Sequence, residues 1–403
     1  MTALVLVLGL LLAVVAAALG VAVFVFLVQI VAGAAASAAP RSGSGAATAT
    51  ATRARLVVLV PAHNEALGIA RTLGELLPQL HAGDRVLVVA DNCSDDTARI
   101  ARAAGADVVE RSHDTLRGKG FALAFGVDAL RADPPAVVVI LDADCDAAPG
   151  ALDALVDCVA RSGRPAQALY LMLAAADARL PRRLAQFAWR VRNWARPAGW
   201  LRLGLPCQLM GTGMAFTWNM LEDAPLANAS IVEDMKLGID LAGSGRAPVF
   251  CPAALVTSYF PDSSAATQTQ RTRWEHGHLE MIVREVPAML AGALRRRDAR
   301  LLGMALDLCV PPLALLAASL LGASAAAAVL WALGGGGPLP VLALELVLFG
   351  AAALVAWWSR GRDLVRFGEL LSIPLYIGAK LPLYLRFLVR RQKQWVRTDR
   401  DKH

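Results

Sequence analysis

No CxxC pair occurs among the six cysteines, Cys93, Cys145, Cys158, Cys207, Cys251 and Cys309. That absence argues against a zinc site or a dithiol redox motif, and isolated thiols suit a reducing compartment better than a disulfide framework. Charge is scarce as well: 18% of the 403 residues are Asp, Glu, Lys or Arg, against 56% hydrophobic, too apolar for a chain that is water-soluble throughout. The net charge is +7. The basic residues sit beside apolar blocks rather than along an aromatic-studded face, so anionic lipid headgroups are expected as partners and nucleic acid is not. No internal repeat is visible, and no charged residue precedes the first apolar run.

What is present begins with that run. Residues 3–32 are uncharged and long enough to span a hydrocarbon core of about 30 Å. The alternative is a cleaved signal peptide, suggested by the small residues at 34–39. It conflicts with the missing basic n-region and with a run longer than the usual h-region of about 7–15 residues. Two more apolar runs, 308–333 and 339–358, flank the glycines at 334–337. A third, 370–388, is interrupted by Pro374, Lys380, Pro382 and Arg386 and reads as an interfacial helix. Basic residues follow the first run at Arg53 and Arg55 and flank the others at Arg295, Arg296, Arg297, Arg300, Arg360, Arg362 and from Arg390 onward. The positive-inside rule then places the N-terminus outside and the central domain and tail in the cytoplasm, as an integral inner-membrane protein. The expected division is an anchor (1–34), a linker (35–54), a catalytic domain (55–280), a basic interfacial helix (281–307), two spans (308–360) and an interfacial helix with a basic tail (361–403).

Between the apolar ends, strand and helix signals alternate. Strands are expected at 55–60, 85–90, 106–110 and 136–141, and helices at 65–80, 97–104 and 118–130. This order implies an α/β domain with a largely parallel sheet, and ligands on such sheets collect beyond the carboxyl ends of the strands. Polar clusters fall at those ends. Pro61-Ala62-His63-Asn64-Glu65 follows the first strand and Asp91-Asn92-Cys93-Ser94-Asp95-Asp96-Thr97 the second. Either reads as a helix cap or as a carboxylate that accepts from a nucleoside. Leu141-Asp142-Ala143-Asp144 follows a buried apolar strand. Its alternating carboxylates can approach one divalent ion, and such an ion offsets the charge that develops on a departing diphosphate. Burying the pair without a cation is unfavourable.

The ordered series PAHNE, ADNCSDDT, RGKGFAL, LDAD, GTGMAF, VEDMKLGIDLAGSG and QRTRW resembles family 2 glycosyltransferases, in particular the membrane-integrated branch of cellulose, hyaluronan and poly-N-acetylglucosamine synthases. The resemblance covers residues 57–274. It implies a GT-A type nucleotide-sugar-binding domain flanked by transmembrane helices, and a Mg²⁺ or Mn²⁺ cofactor. By position, Glu65 and Asp91 would touch the nucleoside, Lys119 would lie near the diphosphate or uracil, and Asp144 would be a principal metal ligand, with Asp142 beside the nucleotide and a second metal ligand. Gly211, Thr212 and Gly213 would line the acceptor path. Asp234, next to Glu233, would be the general base, and Gln270, Arg273 and Trp274 would close over diphosphate and acceptor as the QxxRW motif.

The residue types fit those roles. A carboxylate suits a base on an acceptor hydroxyl, an Arg fork suits diphosphate, and Trp suits a sugar face. Asp234 is expected just before a helix at 235–242, whose N-terminus would lower its pKa; the alternative is that it merely caps that helix. For Arg273 and Trp274 the alternative is a snorkelling Arg and an interfacial Trp. His276 and His278 have no companions for a metal site. The second cluster carries Asn-Cys where the common family form has Asp-Gly-Ser, and the spans are fewer than in cellulose synthase. The expected activity is inverting transfer of a hexose or N-acetylhexosamine from a UDP-sugar to a glycan or lipid-linked acceptor in cell-surface or extracellular polysaccharide synthesis, with export or synthesis subunits as partners. The rivals are a polyprenyl-phosphate sugar transferase, which generally lacks QxxRW, and a non-catalytic nucleotide-sugar-binding subunit, which usually loses these acids.

Overall fold

The computed structural model describes residues 2–35, 53–227, 230–260, 264–335 and 337–389. Most of the expected linker and the basic tail from Arg390 lie outside the described residues. The strands are β1 (Leu56–Ala62), β2 (Arg85–Asp91), β3 (Asp107–Arg111), β4 (Val137–Ile140), β5 (Asp146–Ala147), β6 (Ala166–Leu173), β7 (Met214–Thr217) and β8 (Val249–Tyr259). The helices are α1 (Thr2–Ala34), α2 (Ile69–Leu76), α3 (Thr97–Ala103), α4 (Lys119–Leu130), α5 (Ala151–Ser162), α6 (Leu180–Arg190), α7 (Arg196–Arg202), α8 (Trp218–Leu221), α9 (Glu233–Gly243), α10 (Ser264–Arg296), α11 (Ala299–Cys309), α12 (Leu313–Ala332), α13 (Leu339–Arg360), α14 (Ile373–Gly378) and α15 (Leu381–Val389).

One eight-stranded sheet runs β3-β2-β1-β4-β7-β6-β8-β5. β3, β2, β1 and β4 are parallel neighbours, β7 is antiparallel to both β4 and β6, and β8 runs parallel to β6. The β-branched run of β1 is apolar on both faces because both are covered. Leu56, Val58 and Val60 join a core with α2 and α5, whereas Val57 and Leu59 join a second core with α4 and α9. This alternation makes a three-layer α/β/α sandwich. The parallel half aligns the ends of β1, β2 and β4 on one edge.

The first helix starts later than its pattern implies, at Ile69 rather than residue 65, because Asn64 takes a left-handed φ of 54° and the Glu65 carbonyl first closes a turn onto the Gly68 and Ile69 amides. The helix expected at 235–242 starts two residues earlier, at Glu233. Among the described residues, α1, α12 and α13 are the three helices long and apolar enough to cross a membrane. The run expected from residue 308 begins at Leu313, since Pro311 and Pro312 end α11 and reset the chain. The boundary expected at residue 280 falls inside the single continuous helix α10. The apolar stretch at 370–388 is broken into a short 3-10 turn, α14 and α15, none long enough to span. These apolar helices are packed directly onto the α/β domain: α1, α12 and α13 share one core with α6 and Trp200 of α7. Contact there is close enough that a Cβ on Gly199 would meet the Gln29 carbonyl oxygen at 1.9 Å.

Candidate active site

The first two loops are stitched together before any ligand is considered. The Ser94 amide donates to Asn64 Oδ1 at 2.7 Å, Thr97 Oγ1 accepts from the Glu65 amide at 2.7 Å, and His63 Nδ1 lies 2.7 Å from the Asp91 carbonyl oxygen. Capping falls to Asp95, whose carboxylate accepts from the Thr97 and Ala66 amides, while Ser94 serves the Asn64 contact. Asp91, 6% exposed, pairs with Arg111 at 2.6 Å and accepts from Asn92 Nδ2 at 3.0 Å. Arg111 lies over the Phe121 ring at 5.8 Å. The two loops therefore present a pre-formed rim rather than two independent caps.

The third strand end is organised by a lysine. Lys119, the first residue of α4, forms an ion pair with Asp142 and donates to the Gly211 carbonyl at 2.8 Å. Thr212, fully buried, accepts from the Asp142 amide at 3.0 Å. Burial alone would lower the Lys119 pKa, but the carboxylates of Asp142, Glu233 and Asp234 outweigh it and hold the ammonium charged. Asp142, Asp144 and Cys145 offer ligand atoms that all lie within 4.8 Å of one another. Burial, reinforced by both carboxylates, pushes the Cys145 thiol well above its ordinary pKa. The two half-buried carboxylates are thus the anionic donors, a hard-oxygen set suited to a divalent ion.

Gly211 and Gly213 bracket Thr212 with φ of 90° and 64°, a region where L side chains are strained. A Cβ on Gly211 would sit 3.3 Å from Asp234 Oδ2 and 3.6 Å from Lys119 Nζ. The glycine is what lets the base candidate, the lysine and the loop meet. Lys119, Glu233 and Asp234 line one recess with Leu123, Met214 and Leu226. Asp234 lies within the first turn of α9, which begins on Val232 without a side-chain cap, so capping does not explain it. The expectation of a lowered pKa is overturned. Burial raises the carboxyl above its ordinary value, against the pull of Lys119, the Met235 amide and Arg192, with Asp142 adding to the rise. Glu233 is raised in the same way, first by burial and then by Asp234. For a half-buried carboxyl in this recess the helix N-terminus is the weaker effect.

The QxxRW residues open α10. Trp274 packs against Trp189 with centroids 5.0 Å apart and the rings tilted by 47°, and Trp189 continues the aromatic wall to Tyr170 and Phe260. Arg273 lies within electrostatic reach of Glu233, and its Nε is buried without a hydrogen-bond partner among the described residues. Gln270 sits one turn before Trp274 on the same helix. The structure thus brings Lys119, Asp142, Gly211, Thr212 and Asp234 into direct or near contact and sets Arg273 beside Glu233. Asp91 is not joined to that group; it pairs with Arg111. His276 and His278 bond the Leu383 and Leu308 carbonyls and stay out of the site.

Three residues escape the sequence reading. Gln167, fully buried in β6, donates to the Thr212 carbonyl at 2.9 Å and accepts from the Met210 amide at 2.8 Å, bracing the glycine loop at both ends. Its signal was a lone amide in an otherwise apolar strand. Arg111 had the weak signal of a cation ending a strand. Arg192, on a π-turn at Val191–Ala195, lies over Trp189 at 5.9 Å and feels Asp234; nothing local marks it, although π-turns concentrate at functional positions.

Comparison with known proteins places this geometry. A probable glycosyltransferase of Bacillus subtilis, YdaM, is 25% identical over 247 residues, which are 57% of this chain and 56% of the relative; the match therefore spans little more than half the relative's length. Among solved structures, the mannosyltransferase PcManGT from Pyrobaculum calidifontis, in complex with GDP-Man and Mn²⁺, superimposes with a TM-score of 0.54 at 21% identity, covering 94% of this chain and 100% of that one. The GT-A type α/β fold is shared with it. Glucosyl-3-phosphoglycerate synthase from Mycobacterium tuberculosis overlaps more weakly, with a TM-score of 0.37 at 21% identity over 56% of this chain and 80% of that one. The family model described as glycosyltransferase like family 2 matches residues 54–277, more than half of the chain and the whole of the site above, and the protein belongs to the family 2 glycosyltransferases.

Proposed function

We propose that this protein is an inverting transferase that moves a hexose or N-acetylhexosamine from a UDP-sugar to a glycan or lipid-linked acceptor, in the synthesis of a cell-surface or extracellular polysaccharide. The observation that carries the reading is the meeting of Lys119, Asp142, Gly211 and Asp234 at one recess beside the Asp142–Asp144 pair. Glu65 and Asp91 are read as nucleoside contacts on the stitched rim, with Arg111 fixing the Asp91 carboxylate. Asp144 and Asp142 would hold a Mg²⁺ or Mn²⁺ ion, which when bound neutralises diphosphate charge; PcManGT, with Mn²⁺ in its complex, makes such an ion reasonable. Lys119 and Arg273 supply fixed positive charge for the departing diphosphate, and the Arg273 Nε has no competing partner among the described residues.

Asp234 takes the proton of the acceptor hydroxyl. Its raised pKa makes it a better proton acceptor than an exposed Asp. Attack from the face opposite the diphosphate inverts the anomeric centre. Trp274 and Trp189 offer apolar faces for sugar rings, and Gly211, Thr212 and Gly213 are read as lining the acceptor path, with Gly211 keeping side-chain bulk away from Asp234. With α1, α12 and α13 crossing the inner membrane, the flanking arginines favour a cytoplasmic site and an outside N-terminus. Other polysaccharide-synthesis or export subunits are candidate partners.

The test uses membranes containing the full chain, a panel of labelled UDP- and GDP-sugars, and native lipid extract. Asp144→Asn is expected to abolish both donor hydrolysis and transfer with added Mn²⁺. Asp234→Asn is expected to keep UDP binding and lose transfer by about 10²–10⁴-fold. Near-normal turnover of Asp144→Asn would remove the metal-ligand role, and lost UDP affinity in Asp234→Asn would move that residue to the donor side. A product made only with GDP-sugars would overturn the assigned nucleotide.

A further inference from the structure

The helix that carries Arg273 and Trp274 is held on two opposite faces, and one of those holds is polar, buried and far away in sequence. On one face Gly277 packs against the turn that leads into Glu233-Asp234: a Cβ there would meet Val232 Cγ1 at 2.5 Å and Ile231 Cγ1 at 3.3 Å. On the other face Arg271, Glu275 and Leu279 recur at helical i, i+4 spacing and meet the C-terminal segment. Lys380 Nζ donates to Glu275 Oε1 at 2.7 Å, with side-chain exposures of only 13% and 11%. Tyr376 is approached by two cations, with Lys380 5.2 Å and Arg271 6.0 Å from its ring centroid. His276 adds a bond of 3.0 Å to the Leu383 carbonyl and an edge contact to Phe387. Leu279 shares an apolar cluster with Ile377, Leu383 and Tyr384, and with Ala314 and Leu315 of span α12. The α14–α15 segment is therefore wedged between a span and the motif helix.

A buried ion pair is a poor way to gain net stability, because desolvation offsets most of its attraction. Its better-attested use is to specify register, and here the register matters. A slip or rotation of α10 would carry Arg273 away from Glu233 and loosen Gly277 from the Asp234-bearing turn. We infer that Glu275 and Lys380 are positioning residues, a clamp by which the C-terminal interfacial segment presses the QxxRW helix onto the turn bearing Asp234. The inference rests on the reading of Arg273 as a diphosphate ligand only for its effect on binding. The clamp itself is read from α10. Neither residue touches the donor; both act through α10, and the bilayer-facing segment becomes a structural part of the active site.

The experiment takes the full chain in nanodiscs and measures two quantities: hydrogen exchange of peptides covering residues 270–280, and the affinity for UDP with Mn²⁺. Lys380→Met and the shape-preserving Glu275→Gln are each expected to speed exchange in those peptides roughly tenfold or more. They are also expected to weaken UDP binding by about tenfold, the loss of one charge-assisted contact made through Arg273. The charge-swapped double variant, Glu275→Lys with Lys380→Glu, is expected to restore most of both, which general destabilisation would not do. Unchanged exchange in both single variants, or a double variant no better than the singles, overturns the clamp. Exchange that rises and is rescued while UDP affinity holds throughout supports the clamp and counts instead against the diphosphate role of Arg273, so the two readings fail separately.

Discussion

Asp234 shows how little a residue's local setting says about its chemistry. Its place in the first turn of a helix argues for a strong acid, yet burial reverses the sign. Because the base must be ionised to accept a proton, a raised pKa shifts the acid limb of activity upward. At saturating Mn²⁺, transfer is expected to fall with a midpoint above the ordinary Asp value of about 3.9, and a limb at or below that value in a pH–rate profile would contradict the assignment. The stability contribution has the opposite sign. A carboxyl favoured as neutral in the folded state stabilises it at low pH, and that contribution is lost as pH rises through the folded pKa. Activity and stability therefore compete at this residue. Its acidic identity and its neighbours in the chain were readable from the sequence; its pKa direction was not, because the burial that raises it is set by tertiary packing and outweighs the distant cations Lys119 and Arg192 that oppose it.

At the scale of elements, the first strands and the helices α3 and α4 behave as their patterns imply, and the later strands of the sheet carry no comparable signal. β1, β2 and β4 each lie within about two residues of their expected limits, because continuous apolar runs bounded by polar turns are a local signal. β7 carries no such mark. It is a four-residue strand that enters antiparallel between β4 and β6, and this placement delivers Gly211-Thr212-Gly213 to the Asp142 end of the sheet. The loop tolerates no side chain at its last glycine. A Cβ on Gly213 would meet Ala168 Cβ at 2.7 Å and Val256 Cγ2 at 2.9 Å, on a backbone with φ of 64°. Gly213→Ala is expected to cost about 1–3 kcal/mol from backbone strain alone and to lower activity through the displaced Thr212. A melting temperature equal to wild type would show that the loop is softer than this packing implies.

Across the whole molecule, a buried polar knot adds to the shared apolar core in tying the long apolar helix α1 to α7 and α11. Arg196 of α7 pairs with Asp307 of α11 at 2.8 Å, and Gln29 of α1 completes the triangle, accepting from Arg196 Nε at 2.7 Å and donating to Asp307 at 2.6 Å. Removing one partner strands a buried charge, so Asp307→Ala is expected to destabilise by about 3–5 kcal/mol. Gln29→Leu, which leaves the ion pair intact, should cost less. Thermal unfolding in detergent checks the order, and equal losses would mean that the knot acts as packing rather than as charge. From the sequence alone came the three apolar runs, the alternating α/β order, and the carboxylates at the ends of three strands. Each is a property of contiguous residues facing either lipid or a doubly covered sheet, so solvent preference and periodicity suffice to read it. Only the tertiary structure decided that Lys119 joins Asp142 to Gly211, that Arg111 takes Asp91, that Gln167 braces the glycine loop, and that Glu275 is paired with Lys380. Those contacts join residues 20 to 105 positions apart, and what brings them together is the packing of whole layers, which no local pattern encodes.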